Sequence, residues 1–127
     1  MRYLADTHLL IWATISPEKL SKKARTLLQD SDNEILFSTA SIFEVAVKYS
    51  RGKNDFTLPP ETLRRGLTDL GWKELLITSE HAIAITGLPQ HHGDPFDRLL
   101  VAQAKTDGLL LITSDKILSK YPGTRQV

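Results

Sequence analysis

The sequence predicts an α/β fold with a central parallel sheet of four to five strands and helices on both faces. Two observations carry this. Short apolar runs at Arg2–Ala5, Glu34–Ser38, Leu75–Ile77 and Leu109–Thr113 alternate with longer stretches of helical spacing, and parallel neighbours need a crossover of that kind. Acids also follow the first and last of these runs, at Asp6 and Asp115. In an open parallel sheet, ligands sit beyond the carboxyl ends of the strands.

Taken in order, Arg2-Tyr3-Leu4-Ala5 suits a strand buried on both faces, and Asp6-Thr7-His8 ends it. Leu9, Leu10, Trp12 and Ala13 form a short helix that Ser16-Pro17 stops. Ser21 to Gln29 places Ala24, Leu27 and Leu28 on one face, with Lys22, Lys23 and Arg25 towards solvent. A polar turn, Asp30 to Asn33, leads into the second strand, and a helix then runs through Glu44 to about Arg51, closed by Gly52. Asn54 to Pro60 reads as a loop, Glu61 to Leu70 as a helix, and Leu75–Ile77 as a weaker strand. Ser79-Glu80 opens a short helix that Gly87 and Pro89 end. Asp94 then serves as N-cap with Pro95 at the first helical position, and Asp97 falls in the first turn, where the helix dipole favours an anion. The last core strand ends in Ser114-Asp115; Lys116 to Ser119 makes one helical turn, and the tail supplies an edge strand.

Composition bounds the function. The 127 residues suit one domain spanning 1–127, which buries roughly two-thirds of its unfolded surface. There is no cysteine, hence no disulfide framework, thiolate nucleophile or thiolate zinc site. No apolar stretch is long enough to span a bilayer, and the N-terminal run meets Asp6 too early for a signal sequence, so the expected location is the cytoplasm with no membrane partner. A net charge of +1 gives no global basic field, so any nucleic-acid contact must come from a local patch.

The acids carry the chemistry. Asp6, Glu44, Asp97 and Asp115 come from four separate segments that this fold brings to one edge of the sheet. Each also has a purely structural account. Asp6 and Asp115 can cap the helices after them, Ser41-x-x-Glu44 spells a capping box, and Asp94-x-x-Asp97 a similar cap. Their joint position is more telling, because clustered carboxylates repel one another and a divalent cation relieves that. Carboxylates without Cys or clustered His suit Mg²⁺ or Mn²⁺. His8, His91 and His92 lack metal-ligand spacing, and the loop pair reads as solvated. Lys48, Arg51 and Lys53 follow Glu44 and either track a phosphate backbone or form a solvated helix end; Arg98 either pairs with a carboxylate or touches a phosphate. Ser38, Thr113 and Ser114 are small hydroxyls placed to support the acids, while Trp12 and Phe43 read as core or interface.

Four blocks carry a resemblance that spans nearly the whole chain: Leu4-Ala5-Asp6-Thr7-His8-Leu9-Leu10-Ile11-Trp12-Ala13, Ser38-Thr39-Ala40-Ser41-Ile42-Phe43-Glu44-Val45-Ala46-Val47-Lys48, His92-Gly93-Asp94-Pro95-Phe96-Asp97-Arg98-Leu99-Leu100 and Leu111-Ile112-Thr113-Ser114-Asp115. Together they resemble a PIN-domain protein of the VapC toxin type. The resemblance implies a three-layer α/β/α fold and a metal-dependent endoribonuclease, the toxin of a type II toxin–antitoxin pair. The family's acidic set falls on Asp6, Glu44, Asp97 and Asp115, and Asp94 matches a further acid of this branch. It also implies a homodimer and a small VapB-like antitoxin that blocks the acidic cleft.

On this footing, Asp6, Asp97 and Asp115 hold Mg²⁺ or Mn²⁺, Glu44 completes the shell, and RNA phosphates lie along Lys48, Arg51 or Arg98. Other classes stay open. A receiver-like phospho-acceptor wants a paired acid after the first strand, and a phosphatase of the haloacid-dehalogenase type wants Asp-x-Asp where this chain has Asp6-Thr7-His8. A PIN-like module that binds nucleic acid without cutting it is the remaining alternative.

Overall fold

The computed structural model describes residues 1–52 and 56–127. Among them are five strands and six α-helices, in the order β1 (Arg2–Ala5), α1 (Thr7–Ile15), α2 (Lys22–Gln29), β2 (Glu34–Ser38), α3 (Thr39–Arg51), α4 (Pro60–Asp69), β3 (Lys73–Leu75), α5 (Ser79–Ala84), α6 (Pro95–Asp107), β4 (Leu110–Thr113) and β5 (Thr124–Gln126). The strands form one sheet in the order β3-β2-β1-β4-β5, and every pairing is parallel. The loop expected from Asn54 begins outside the described residues, as does Lys53.

Alternation along the strands divides the core in two. Tyr3, Ala5, Ile35, Phe37 and Ile112 face a cluster completed by Leu9 and Leu10 of α1, Ala24 and Leu27 of α2, and Leu63 and Leu67 of α4. Leu4, Leu36 and Leu111 point the other way, onto Leu100, Val101 and Ala104 of α6 with Leu88, Leu118 and Tyr121. The period of two is what a strand requires, and burial on both faces is why the runs read as continuously apolar. Helices therefore cover both faces of the sheet, giving three layers.

Two expected boundaries move. The third strand pairs at Lys73–Leu75 rather than Leu75–Ile77, with Leu75 opposite Ser38. Ser38 is where β2 turns into α3, so Leu76 and Ile77 run past the last available partner and stay exposed. The final turn lies at Leu118–Lys120 rather than Lys116–Ser119. Both edge strands are three residues long and carry Lys73 or Arg125, which discourages further strand pairing.

Candidate active site

Each acid reaches the C-terminal edge of the sheet for a local reason. Asp6 ends β1 and N-caps α1: its Oδ1 accepts from the Leu9 amide at 3.0 Å. Its Oδ2 accepts from Thr113 Oγ1 at the end of β4, and its own amide donates to Ile112 O. Thr113 Oγ1 in turn accepts from the Asp115 amide at 3.0 Å. One threonine hydroxyl therefore ties the acid after β1 to the acid after β4. Asp115 caps the final turn through Oδ1, which accepts from the amides of Ile117 and Leu118. Asp94 N-caps α6, accepting from Phe96 and Asp97 amides through Oδ1.

Capping and cleft-facing roles are thus not alternatives. Asp6 and Asp115 each spend one oxygen on a helix or turn start, while the other meets a side chain of the site, Thr113 for Asp6 and His92 for Asp115. For Asp94 the N-cap role is plain, while its second oxygen has no described partner.

The capping box read at Ser41 and Glu44 does not form. Ser38 is the N-cap of α3, so Ser41 lies within the helix, where its buried hydroxyl accepts from Thr7 Oγ1 at 2.9 Å. Glu44 is buried, and its Oε2 accepts from Lys48 Nζ at 3.1 Å. Its Oε1 is buried with no hydrogen-bond partner among the described residues. An orphaned carboxylate oxygen in such a place is costly, and a cation or a water held by one would satisfy it.

Asp97 is strongly perturbed. Burial, followed by the charges of Asp94 and Glu44 and then Asp6, pushes its carboxyl up to about 7, against an opposing pull from His92. Burial also raises Asp6, despite donors at Thr113 and Leu9. Asp115 goes the other way: partial burial pushes it up, but the Ile117 and Leu118 amides and His92 together hold it below the ordinary carboxylate range. These mutual influences mark a single electrostatic unit. The donor set, oxygen-rich and free of sulfur, fits a hard divalent cation such as Mg²⁺ or Mn²⁺.

Three expectations at the site need correction. His92 is not a solvated loop residue: its Nε2 lies 3.3 Å from Asp97 Oδ2 and 3.4 Å from Asp115 Oδ2. These three residues present ligand-type atoms within 4.8 Å of one another. The available signal was its place two residues before a capping Asp, from which a ring can fold back onto the Asp94 amide, as it does at 3.0 Å. Arg98 does not reach for RNA. It is buried and donates to the carbonyls of Ile85 and Pro89 and to Tyr121 Oη. Lys48 is not a free phosphate contact either, being paired with Glu44; Arg51 is exposed at the C-terminal end of α3. Of the aromatic pair, Trp12 packs half-buried on the core, while Phe43 is exposed and meets Phe96 edge-on at 5.5 Å.

Comparisons with known proteins agree with this geometry. The PIN domain family model matches residues 3–123. A ribonuclease of Mycobacterium tuberculosis, VapC22, is 28% identical over 133 residues, covering 98% of this chain and 95% of that protein. Among solved structures, VapBC2 from Rickettsia felis, bound to a DNA fragment from their promoter, superposes with a TM-score of 0.69 at 15% identity over 100% of this chain and 99% of that one. A toxin–antitoxin complex from Klebsiella pneumoniae gives a TM-score of 0.62 at 23% identity over 97% and 95%. No helix among the described residues is long and apolar enough to cross a membrane.

Proposed function

The chain belongs to the PIN-domain family, and from that premise we propose that it is a metal-dependent endoribonuclease of the VapC type, one catalytic unit over residues 1–127, acting as the toxin of a toxin–antitoxin pair. The observation that carries this is the mutual electrostatic influence of Asp6, Glu44, Asp97 and Asp115 at one site, with a buried Glu44 oxygen that no group among the described residues satisfies.

In this reading Asp6, Asp97 and Asp115 would hold Mg²⁺ or Mn²⁺, and the cation, when bound, would supply a water of lowered pKa and polarise the phosphoryl oxygen. Glu44 Oε1 accepts a hydrogen bond from the attacking water and orients it. Asp97, whose carboxyl burial and neighbouring acids push up to about 7, would have to lose its proton to hold the cation, so metal loading should strengthen as pH rises through that value. Asp94 fixes the start of α6 and thereby the position of Asp97. Arg51, exposed beyond Lys48 on α3, is the basic group left to follow the RNA backbone. Single-stranded or looped RNA suits an open cleft of this kind.

Similarity to VapBC2 and to a toxin–antitoxin complex supports a small antitoxin as partner, and the acidic site suits a basic side chain from it. The exposed apolar side chains of Phe43 and Tyr49 on α3 support pairing with a second copy.

The test is cleavage of pooled structured RNA by the purified chain with Mn²⁺, with Mg²⁺ and with chelator, beside Asp97→Asn. Cutting that needs metal and disappears in the variant is the expected result. Cutting by Asp97→Asn at the wild-type rate would sink the site assignment, and metal binding without cutting would favour the non-catalytic nucleic-acid module.

A further inference from the structure

His92 stands where a cation would stand, and its own contacts fix the chemistry of its ring. Nδ1 accepts a hydrogen bond from the Asp94 amide at 3.0 Å. A nitrogen that accepts carries no proton, so a neutral ring bears its proton on Nε2. A metal ligand would need the Nε2 lone pair, which in this tautomer is taken up by the N–H bond. In this arrangement, then, His92 cannot ligate a cation. It can only donate: Asp115 Oδ2 accepts at 3.4 Å, and Asp97 Oδ2 lies 3.3 Å from the same nitrogen.

The ring is also held from behind. The His92 amide donates to Tyr121 Oη at 3.0 Å, and Arg98 Nη1 donates to the same oxygen at 3.1 Å. Arg98 is anchored in turn on Pro89 O at 3.0 Å and Ile85 O at 3.2 Å. Both Arg98 and Tyr121 are buried. A buried guanidinium satisfied by carbonyls and a phenol is a costly device unless it fixes something, and what it fixes is the loop that delivers His92.

We propose that His92 is a placeholder for the metal: its Nε2–H donates to Asp115 and lies against Asp97, a bridge between the two acids that loading has to break. The inference rests on the acidic cleft being the metal site of the proposed nuclease. The Asp115 oxygen that accepts from His92, and the Asp97 oxygen beside it, are oxygens the cation must take over. Whatever the bridge contributes to the metal-free state is subtracted from the observed metal affinity, because a ligand acts only through its differential interaction with the two states. The bridge also keeps two repelling carboxylates side by side before loading, so Arg98 and Tyr121 are positioning residues for the site.

The experiment is calorimetric titration of Mn²⁺ alone into the full chain and into His92→Ala, His92→Gln and Tyr121→Phe. It is paired with long-range proton–nitrogen spectra of the imidazoles of the metal-free wild type at mildly alkaline pH, where an imidazole is ordinarily neutral. Losing one charge-assisted bridge should tighten Mn²⁺ binding by about 10-fold in His92→Ala. His92→Gln places an amide donor near the position of Nε2 and should stay within about 2-fold of wild type. Tyr121→Phe, which frees the His92 amide, should fall between them. The spectra should show the Nε2–H tautomer of His92. Equal or weaker binding by His92→Ala overturns the placeholder, as does an Nδ1–H tautomer, which decides the matter even where the alanine variant does not fold. Failure of the underlying site looks different: no binding heat in any of the four proteins, which removes the placeholder together with the metal site.

Discussion

Asp97 concentrates the physics of the cleft. Its carboxyl is raised to about 7 by burial and by the charges of Asp94, Glu44 and Asp6. The folded, metal-free chain therefore holds a proton that the unfolded chain releases from the ordinary value of 3.8 upward. Stability without metal must fall as pH rises between those values, since the native state binds more protons there. Asp97→Asn removes the charge, so the metal-free variant should exceed wild type in stability at about pH 8, by on the order of 1–2 kcal/mol after discounting for solvent screening. The two should match at about pH 4; urea denaturation at both values checks this, and added Mn²⁺ should flatten the wild-type slope. Asp115 behaves oppositely. Its carboxyl is lowered, so its contribution is present above the unfolded value and is lost as pH falls through the folded one. Arg98 gives a different residue-scale prediction. Arg98→Leu strands the carbonyls of Ile85 and Pro89 and the Tyr121 hydroxyl, and should cost about 3 kcal/mol in a denaturation midpoint assay. Its sequence neighbour Asp97 suggests an ion pair, but successive helical positions point about 100° apart, so adjacency in the chain says nothing about contact. His92 was hidden for a related reason: its role depends on a backbone amide two residues on and on two acids that only folding brings near.

Among the elements, α6 is the one most clearly written in the chain. Asp94 as N-cap and Pro95 at the first position appear as the spacing predicts, and Gly108 closes the helix as a left-handed C-cap at φ +68°. Asp94→Ala should cost about 1 kcal/mol through the lost cap. It should also lower the Asp97 carboxyl, because the Asp94 charge is the second-largest influence raising it. A proton NMR or pH–activity titration would register the downward move. Gly108→Ala puts a side chain into a backbone region that L-residues avoid, and should cost about 1 kcal/mol in thermal unfolding without changing the site. The errors are as physical as the successes. The capping box at Ser41 and Glu44 satisfies the local rule, yet Ser38, supplied by the end of β2, starts the helix first. The third strand was placed on its most apolar residues, whereas pairing ends where β2 does.

At the scale of the whole molecule, the parallel sheet and its two covered faces were legible because apolar runs and helical spacing alternate from end to end. The order β3-β2-β1-β4-β5 puts β1 in the middle, so the acid after β1 lies next to the acid after β4 and within reach of the helix leaving β2. Sequence spacing could assemble those three without knowing a single side-chain contact. What it could not supply is the filling between them: the Thr7–Ser41 and Thr113–Asp6 hydroxyl contacts and the His92 bridge all join residues distant in the chain. The exposed Phe43 and Tyr49 suggest a further outcome at this scale. Sedimentation should give about twice the 14.2 kDa of one chain, and Phe43→Glu should return the protein to a monomer if α3 forms the contact.

The division of labour within single carboxylates has one more consequence. Asp6, Asp94 and Asp115 each hold the first amides of a helix or turn with one oxygen while sitting in the acidic cluster. The openings that let solvent deuterium reach those amides also slacken the cleft, so occupancy and local breathing are two views of one equilibrium. A filled cleft should slow deuterium uptake at Leu9, Phe96, Asp97, Ile117 and Leu118 together, in three separate stretches of chain. Exchange at the far ends of the same helices should stay as it was.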